Sequence, residues 1–315
     1  MNRAFAPTCV AGVDGGGTST RVLLLSPTRQ VLAEGVSGPG NPLDVMEQGV
    51  AKHLREAFDT ALLAGSVPED EVGACVLGYA GVGTEIGRNR VLAALRVLPE
   101  ALRARSELVT DLRIALEGGL DGGAGIIVIA GTGSSTYGRN QHGDEGRAGG
   151  HGSFLDDMGS ATDLGRRAAQ AVLRASDGRG PPTALTAAIL AHLHVESEAA
   201  LPALLGARGD ERTRTAQLAP VVTAAAEQGD QVSLDILKDA AAALAPSALA
   251  VANRLGLKKP TIVAVGGLVA SSPLYRDILH AALLRLIEDA SVQGPVHSSA
   301  YGAALLALRL LAAED

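Results

Sequence analysis

Residues 10–20 read VAGVDGGGTST, and residues 127–136 read IVIAGTGSST. Each stretch is an apolar run of strand length, then a glycine turn, then hydroxyl side chains. The residues after the first turn, TRVLLLS at 20–26, are β-like, so strand, glycine turn and strand make a β-hairpin. The first hairpin is expected as Thr8–Val13, a turn at Asp14–Gly17 and a return strand Thr18–Leu25. The second is expected as IIVIA at 126–130, the turn Gly131-Thr132-Gly133 and SSTYG at 134–138. Two copies of one device indicate an internal duplication, one copy per lobe.

Outward from these hairpins the chain alternates. Helical spacing runs over Val45–Leu63, Val91–Leu102, most of Thr162–Val251 and Tyr301–Ala313. Short apolar runs bounded by glycine or turn residues mark strands at 72–79, Glu107–Thr110 and Thr261–Val265. Alternating strands and helices predict an α/β architecture. The stretch EGGLDGG at 117–123 breaks both periodicities. The expected lobes are therefore 1–118, completed by a C-terminal helix within 297–315, and 119–296.

Composition narrows the function classes. With 315 residues, 47% apolar and 19% charged, the chain can bury a core in each of two lobes. Its 39 glycines exceed the usual ~7% and cluster, which points to backbone-lined sites. A net charge of −7 without a dense Lys/Arg run argues against nucleic acid, although backbone N–H groups can still bind a small anion. Cys9 and Cys75 have no metal-ligand spacing. The opening MNRAFAPTCVAGVD reaches an aspartate before a leader-like apolar region develops. The most apolar stretch, Ala240–Ala252, contains Pro246 and is too short for a bilayer. A cytoplasmic protein with no membrane partner is expected.

The glycine turns carry the chemistry. Glycines let a backbone approach phosphate without a Cβ in the way, so the N–H groups of Gly15, Gly16 and Gly17, with Thr18 and Ser19, are candidate phosphate ligands. Asp14 at the strand end is a candidate Mg²⁺ ligand through water. Gly131, Thr132 and Gly133 repeat the kit, and two such hairpins could hold β- and γ-phosphates from both sides. The bland alternative is a pair of ordinary tight hairpins. The chain has no GxxxxGK[ST] loop, and no helix follows the first glycines as a dinucleotide fingerprint requires. Asp111, after the strand ELVT at 107–110, is either a general base for phosphoryl transfer or a helix N-cap, and one residue can do both. Gly266 and Gly267 fit either a flat ring lying on backbone or a simple strand-to-helix turn. His192 and His194 are two apart in a helical stretch, which does not suit a metal pair. Arg166 and Arg167 read as a solvated helix face.

Taken in order, DGGGTS, TD, GTGSS, GGHGSFLDDMGS (149–160) and VGGL (265–268) resemble the BadF/BadG/BcrA/BcrD-type ATPase family and, within it, the N-acetylglucosamine kinases. The resemblance implies two ribonuclease-H-like lobes of the actin-like ATPase type around an interlobe cleft. It also implies ATP and Mg²⁺ as cofactors and phosphorylation of the 6-hydroxyl of N-acetylglucosamine or glucosamine, with Asp111 as base. By the same resemblance Thr18 and Thr132 contact phosphates, and Ala216 and Gly266 line adenosine. Asn41, Ser134, Ser135, Gly150, Gly152 and Asp157 face the sugar, and a homodimer is expected. The family's GGWGxxLGDEGS pattern is altered here: its Trp is His151, the glycine before the aspartate is Asp156, and the glutamate after it is Met158. A second acid at 156 suits the cationic amine of glucosamine. Two further readings remain, an iron–sulfur ATPase that activates a reductase and a sugar or nucleotide sensor without turnover.

Overall fold

The structure is a computed structural model that describes residues 8–207, 209 and 211–313. The first seven residues of the leader-free opening expected above lie outside that range. The chain divides into two compact units, Met1–Gly123 with Pro295–Asp315, and Ala124–Gly294.

In the first unit β1 (Cys9–Gly15), β2 (Thr20–Leu25) and β3 (Val31–Ser37) form an antiparallel meander. β4 (Val72–Tyr79) and β5 (Ser106–Thr110) lie parallel to β1, and the sheet order is β3-β2-β1-β4-β5. Alternate β1 side chains point to opposite faces. Cys9, Ala11 and Val13 join the layer that contains α1 (Glu47–Gly65), whereas Val10 joins a second cluster. α1 buries Val50, Leu54, Ala57, Phe58 and Ala61, a 3.6-residue stripe. The hairpin tip falls later than expected, because β1 pairs through Gly15 with Thr20 and leaves Gly16–Ser19 as the turn.

The helix expected over Val91–Leu102 is divided. α2 (Glu85–Ala94) ends in a 3₁₀ turn, Leu98 is extended with ψ 151°, and α3 (Glu100–Ala104) restarts after Pro99. Proline has no N–H and forces its predecessor out of the helical region. α4 (Asp111–Gly119) follows β5 directly.

The second unit repeats the plan. β6 (Gly125–Ala130), β7 (Ser134–Arg139) and β8 (Glu145–Ala148) are antiparallel, and β9 (Thr261–Val265) and β10 (Ser291–Gln293) add in parallel, in the order β10-β9-β6-β7-β8. The duplication read from two hairpins thus extends to two five-stranded sheets with the same connectivity. Among the described residues eight α-helices complete the unit: α5 (Ala161–Ser176), α6 (Leu185–Leu193), α7 (Leu201–Leu205), α8 (Glu211–Ala216), α9 (Ala219–Glu227), α10 (Gln231–Leu255), α11 (Gly267–Ser271) and α12 (Pro273–Leu286). The apolar stretch Ala240–Ala252 lies within α10, capped by Asp230 and closed by left-handed Gly256, and its buried face packs on β6, β7, α9 and α12. Among the described residues no helix is long and apolar enough to cross a membrane.

α13 (Ser299–Ala312) returns to the first unit and packs on β1, β4 and α4. It comes so close that a Cβ on Gly12 would press into the backbone of Ala300 and Ala304. Gly302 and Gly118 allow the same approach between α13 and α4. Gly12 and Gly302 are glycine for want of space.

Candidate functional site

In the first unit the carboxyl ends of three parallel strands form one edge. Gly15, Tyr79 and Thr110 share a register, so Asp14 sits one residue inside the edge and Asp111 one residue beyond it. Neighbouring parallel strands are about 4.8 Å apart, and β4 lies between β1 and β5, so the two residues stand two strand spacings apart along one sheet rim. Burial first, and the Asp111 carboxylate second, push the Asp14 carboxyl up to about 6, while Arg21 acts the other way. A buried oxygen donor that is disfavoured as a free anion, as Asp14 is, suits a cation such as Mg²⁺.

Asp111 is not the helix cap. Thr110 caps α4, its hydroxyl accepting from the Arg113 N–H at 3.3 Å. Asp111 is the first helical residue, and its Oδ1 accepts from the Leu112 N–H at 3.0 Å. It is partly exposed, and a carboxylate in a helix's first turn is favoured by the helix dipole. The capping alternative therefore belongs to its neighbour.

The hairpin tip and the SGPGN loop are stitched together. The Gly16 carbonyl accepts from the N–H groups of Gly40 at 2.8 Å and Asn41 at 3.0 Å, and Ala80 N–H donates to the Gly15 carbonyl. Gly40 has no room for a side chain, because a Cβ there would meet Thr20 Oγ1 at 2.6 Å and the Tyr79 ring at 3.0 Å. Asn41 is buried. Its Nδ2 donates to Asp44 at 2.6 Å, and its Oδ1 accepts from the Leu43 N–H. The exposed tip residues Gly17 and Thr18 face open space, and the nearest atom to a Cβ on Gly17 is Asp44 Oδ2 at 3.6 Å. That leaves room for a phosphate at backbone distance.

The pH response of Asp14 gives a test. A carboxylate with a higher pKa in the folded chain than in the unfolded one costs stability once it ionises. The cost is absent below pH 4, grows toward pH 6 and is complete above it. Asp14→Asn removes that dependence, so the variant is expected to gain on the wild type between pH 4 and 7 by up to about 3 kcal/mol in urea denaturation. Parallel stability curves would contradict the assignment.

In the second unit the glycine turn is held from three directions. Gly131 N–H donates to the Gly133 carbonyl at 2.9 Å, and the Gly131 carbonyl accepts from the Ala161 N–H at 2.8 Å. The Thr162 hydroxyl, in the first turn of α5, donates to the Thr132 carbonyl at 2.7 Å. Gly266, with φ 111°, abuts Ala130 and Gly131, and the Gly267 N lies 3.8 Å from the Cβ position of Gly131. Among the described residues nothing stands within 4 Å of a Cβ on Gly267. Gly266 and Gly267 are thus brought to the turn. Ala216 ends α8, and the preceding Thr215 packs on Gly165 of α5.

Ser134 and Ser135 tie the turn to the 149–160 segment, donating to the carbonyls of Met158 at 2.7 Å and Gly149 at 3.5 Å. That segment coils through left-handed residues: Gly149, Gly150, Gly152, Asp157 and Gly159 all have positive φ. Asp157, with φ 60°, is the non-glycine among them, a conformation that costs energy and concentrates at sites. It is buried, and it pairs with Arg212 of α8 at 3.3 Å. Its pKa is raised by desolvation, against Arg212 and against hydrogen bonds from the backbone of Ser134 and Gly152. His151 is exposed, and its N–H donates to Asp156 Oδ2 at 3.2 Å. Asp156 therefore shapes the segment's own turn. Arg166 and Arg167 both pair with buried Asp163, so they brace α5 and are not a free solvated face.

Sequence reasoning missed Thr162 and Arg212. Neither adjoins a glycine turn in sequence, and ERTRT at 211–215 carries no local mark of a site. Only the fold brings them to Thr132 and Asp157.

The chain matches the BadF/BadG/BcrA/BcrD ATPase family over residues 11–307. An N-acetylmuramic acid/N-acetylglucosamine kinase of Clostridium acetobutylicum is 33% identical, covering 95% of this chain and 97% of the relative. An N-acetyl-D-glucosamine kinase of Dictyostelium discoideum is 32% identical over 94% of this chain and 97% of its own. A solved structure from Chromobacterium violaceum, described as a candidate N-acetylglucosamine kinase, superposes with a TM-score of 0.77 at 29% identity, covering 96% of this chain and 99% of that one. Two five-stranded sheets of one connectivity, each ending in a glycine turn, agree with these likenesses, and the chain belongs to the BadF/BadG/BcrA/BcrD ATPase family.

Proposed function

We propose that this protein transfers the γ-phosphoryl group of ATP to the 6-hydroxyl of an amino sugar, N-acetylglucosamine or glucosamine. The observation that carries the reading is the sheet edge that Asp111 shares with Asp14, which ends at an open glycine tip. The sugar O6–H gives its proton to Asp111 as O6 attacks the γ-phosphorus, the bond to the β-phosphate oxygen breaks, and ADP leaves. Mg²⁺, held through water by Asp14, would neutralise charge on the phosphates. Gly15, Gly16, Gly17, Thr18 and Ser19 bind phosphate oxygens, and so do Gly131, Thr132 and Gly133. Gly266, Gly267 and Ala216 line the adenosine. Asn41, Ser134, Ser135, Gly150, His151, Gly152 and Asp157 orient the sugar.

Two observations weigh on the alternatives. Cys9 and Cys75 are buried in β1 and β4, and burial pushes the Cys9 thiol up to about 11 and the Cys75 thiol higher still. Thiolates are the metal ligands, so these two suit an iron–sulfur cluster poorly. The carboxylate of Asp156 is turned to the His151 N–H, which weakens the case for an amine-binding acid and favours the acetylated sugar.

The test is ADP release on N-acetylglucosamine, glucosamine, N-acetylmuramic acid and glucose, with phosphorus–proton coupling locating the product phosphate. N-acetylglucosamine is expected to react best, with the phosphate on O6. ATP hydrolysis indifferent to every sugar would refute the reading.

A further inference from the structure

We propose that Arg212 is the cationic phosphate ligand of the second unit, and that it exchanges Asp157 for a nucleotide phosphate when ATP binds. The inference rests on the kinase reading and deepens it. A glycine turn supplies N–H dipoles but no net charge, and neither turn contains a lysine or arginine. ATP bound there would gain from a fixed cation nearby. Arg212 is placed to supply it. At Gly133 a Cβ would run into Arg212 Nη2 and would lie 2.7 Å from Asp157 Oδ2. The guanidinium therefore rests against the turn itself, and the glycine at 133 is what lets it come so close.

The side chain remains available to an incoming anion. Arg212 is 44% exposed while its partner carboxylate is 4% exposed, and a single Nη2 contact at 3.3 Å joins them. That is a long pairing for an arginine and a carboxylate, which commonly meet through two bonds near 2.8 Å. The other arginines of this region are engaged elsewhere. Arg147 donates to the carbonyls of Gly149 and Gly150, and Arg166 to Ser153 and Asp163. Because Asp157 also accepts from the backbone of Ser134 and Gly152, it keeps partners when the guanidinium turns to phosphate. Its freed oxygen can then meet a sugar hydroxyl. One side-chain exchange would couple nucleotide binding to the sugar-facing segment.

The experiment is calorimetric titration of MgADP into the full chain and its Arg212→Ala, Asp157→Asn and doubly substituted forms, with circular dichroism checking that each is folded. Arg212→Ala is expected to weaken MgADP binding by about tenfold or more, the usual worth of a charge-assisted hydrogen bond. Asp157→Asn, which removes the competing carboxylate, is expected to bind MgADP as tightly as the wild type or more so. The double variant is expected to bind as weakly as Arg212→Ala. An Arg212→Ala dissociation constant within twofold of the wild type overturns the proposal. So does recovery of wild-type binding in the double variant, since the arginine would then serve only to neutralise Asp157. A wild-type chain that binds no MgADP would sink the kinase reading itself, and the role of Arg212 with it.

Discussion

Replacing Asp111 by Asn is expected to lower kcat for sugar phosphorylation by about a thousandfold while leaving the fold and MgADP affinity nearly unchanged. The two side chains have one shape, and Asn can keep the hydrogen bond that Oδ1 accepts from the Leu112 N–H. The helix does not depend on the charge, because Thr110 is the cap. What Asn cannot do is accept the sugar's proton, and positioned general bases contribute about 10²–10⁴ in rate. The readouts are sugar-dependent ADP release and thermal unfolding of the same preparations. Activity within tenfold of the wild type would remove Asp111 from the base role. Equal losses of activity and stability would show that its place is structural. The substitution also deletes the carboxylate that helps to raise the Asp14 pKa, so the pH dependence of stability is expected to shrink in this variant.

The largest effect on stability is expected from Gly12→Val. Gly12 lies in the middle of β1, opposite Leu23 on one neighbour and Val76 on the other. The Cβ position there is occupied by the backbone of α13, with Ala304 Cα at 2.9 Å. Backbone cannot rotate out of the way as a side chain can, so valine must either lift α13 or distort the strand. Overpacking of a core costs about 1–3 kcal/mol where side chains yield, and here the cost should exceed that range. A fall in Tm of roughly 10 °C or more is expected, with loss of soluble protein as the extreme. Gly83→Ala is the control: among the described residues nothing lies within 4 Å of its Cβ, and its Tm is expected to move by no more than a degree or two. If Gly12→Val and Gly83→Ala melt together, the close approach of β1 and α13 is not what holds the helix.

The parts of the fold that sequence reveals are those where one local signal suffices. β4 and β9 are read to the residue because each is a continuous apolar run with a glycine, proline or turn at its ends. Both hairpins are legible for the same reason. The strands that escape are β3, β8 and β10, three of the four outer strands. In β3 the exposed Val31, Leu32 and Val36 face solvent while Ala33 and Gly35 face inward, so the usual alternation of apolar and polar residues is inverted. β8 and β10 have four and three residues, too few for a period to show. At the site, Asp14 and Asp111 are legible because each lies within one residue of a strand's end. Arg212 is not, since its meeting with Asp157 spans 55 residues of chain and is made by the packing of α8 beside α5.

The return of α13 has a consequence for how the protein is made. β1 leaves the ribosome long before α13, yet α13 covers one face of its sheet. All of Ala124–Gly294 is synthesised in between. At roughly 5–20 residues per second, the strand waits on the order of ten seconds or more with Val10, Leu23 and Leu25 uncovered. During that interval the nascent N-terminal sheet presents an unfinished apolar face. A chain released before residue 295 would lack α13 and keep that face uncovered, a surface prone to aggregation.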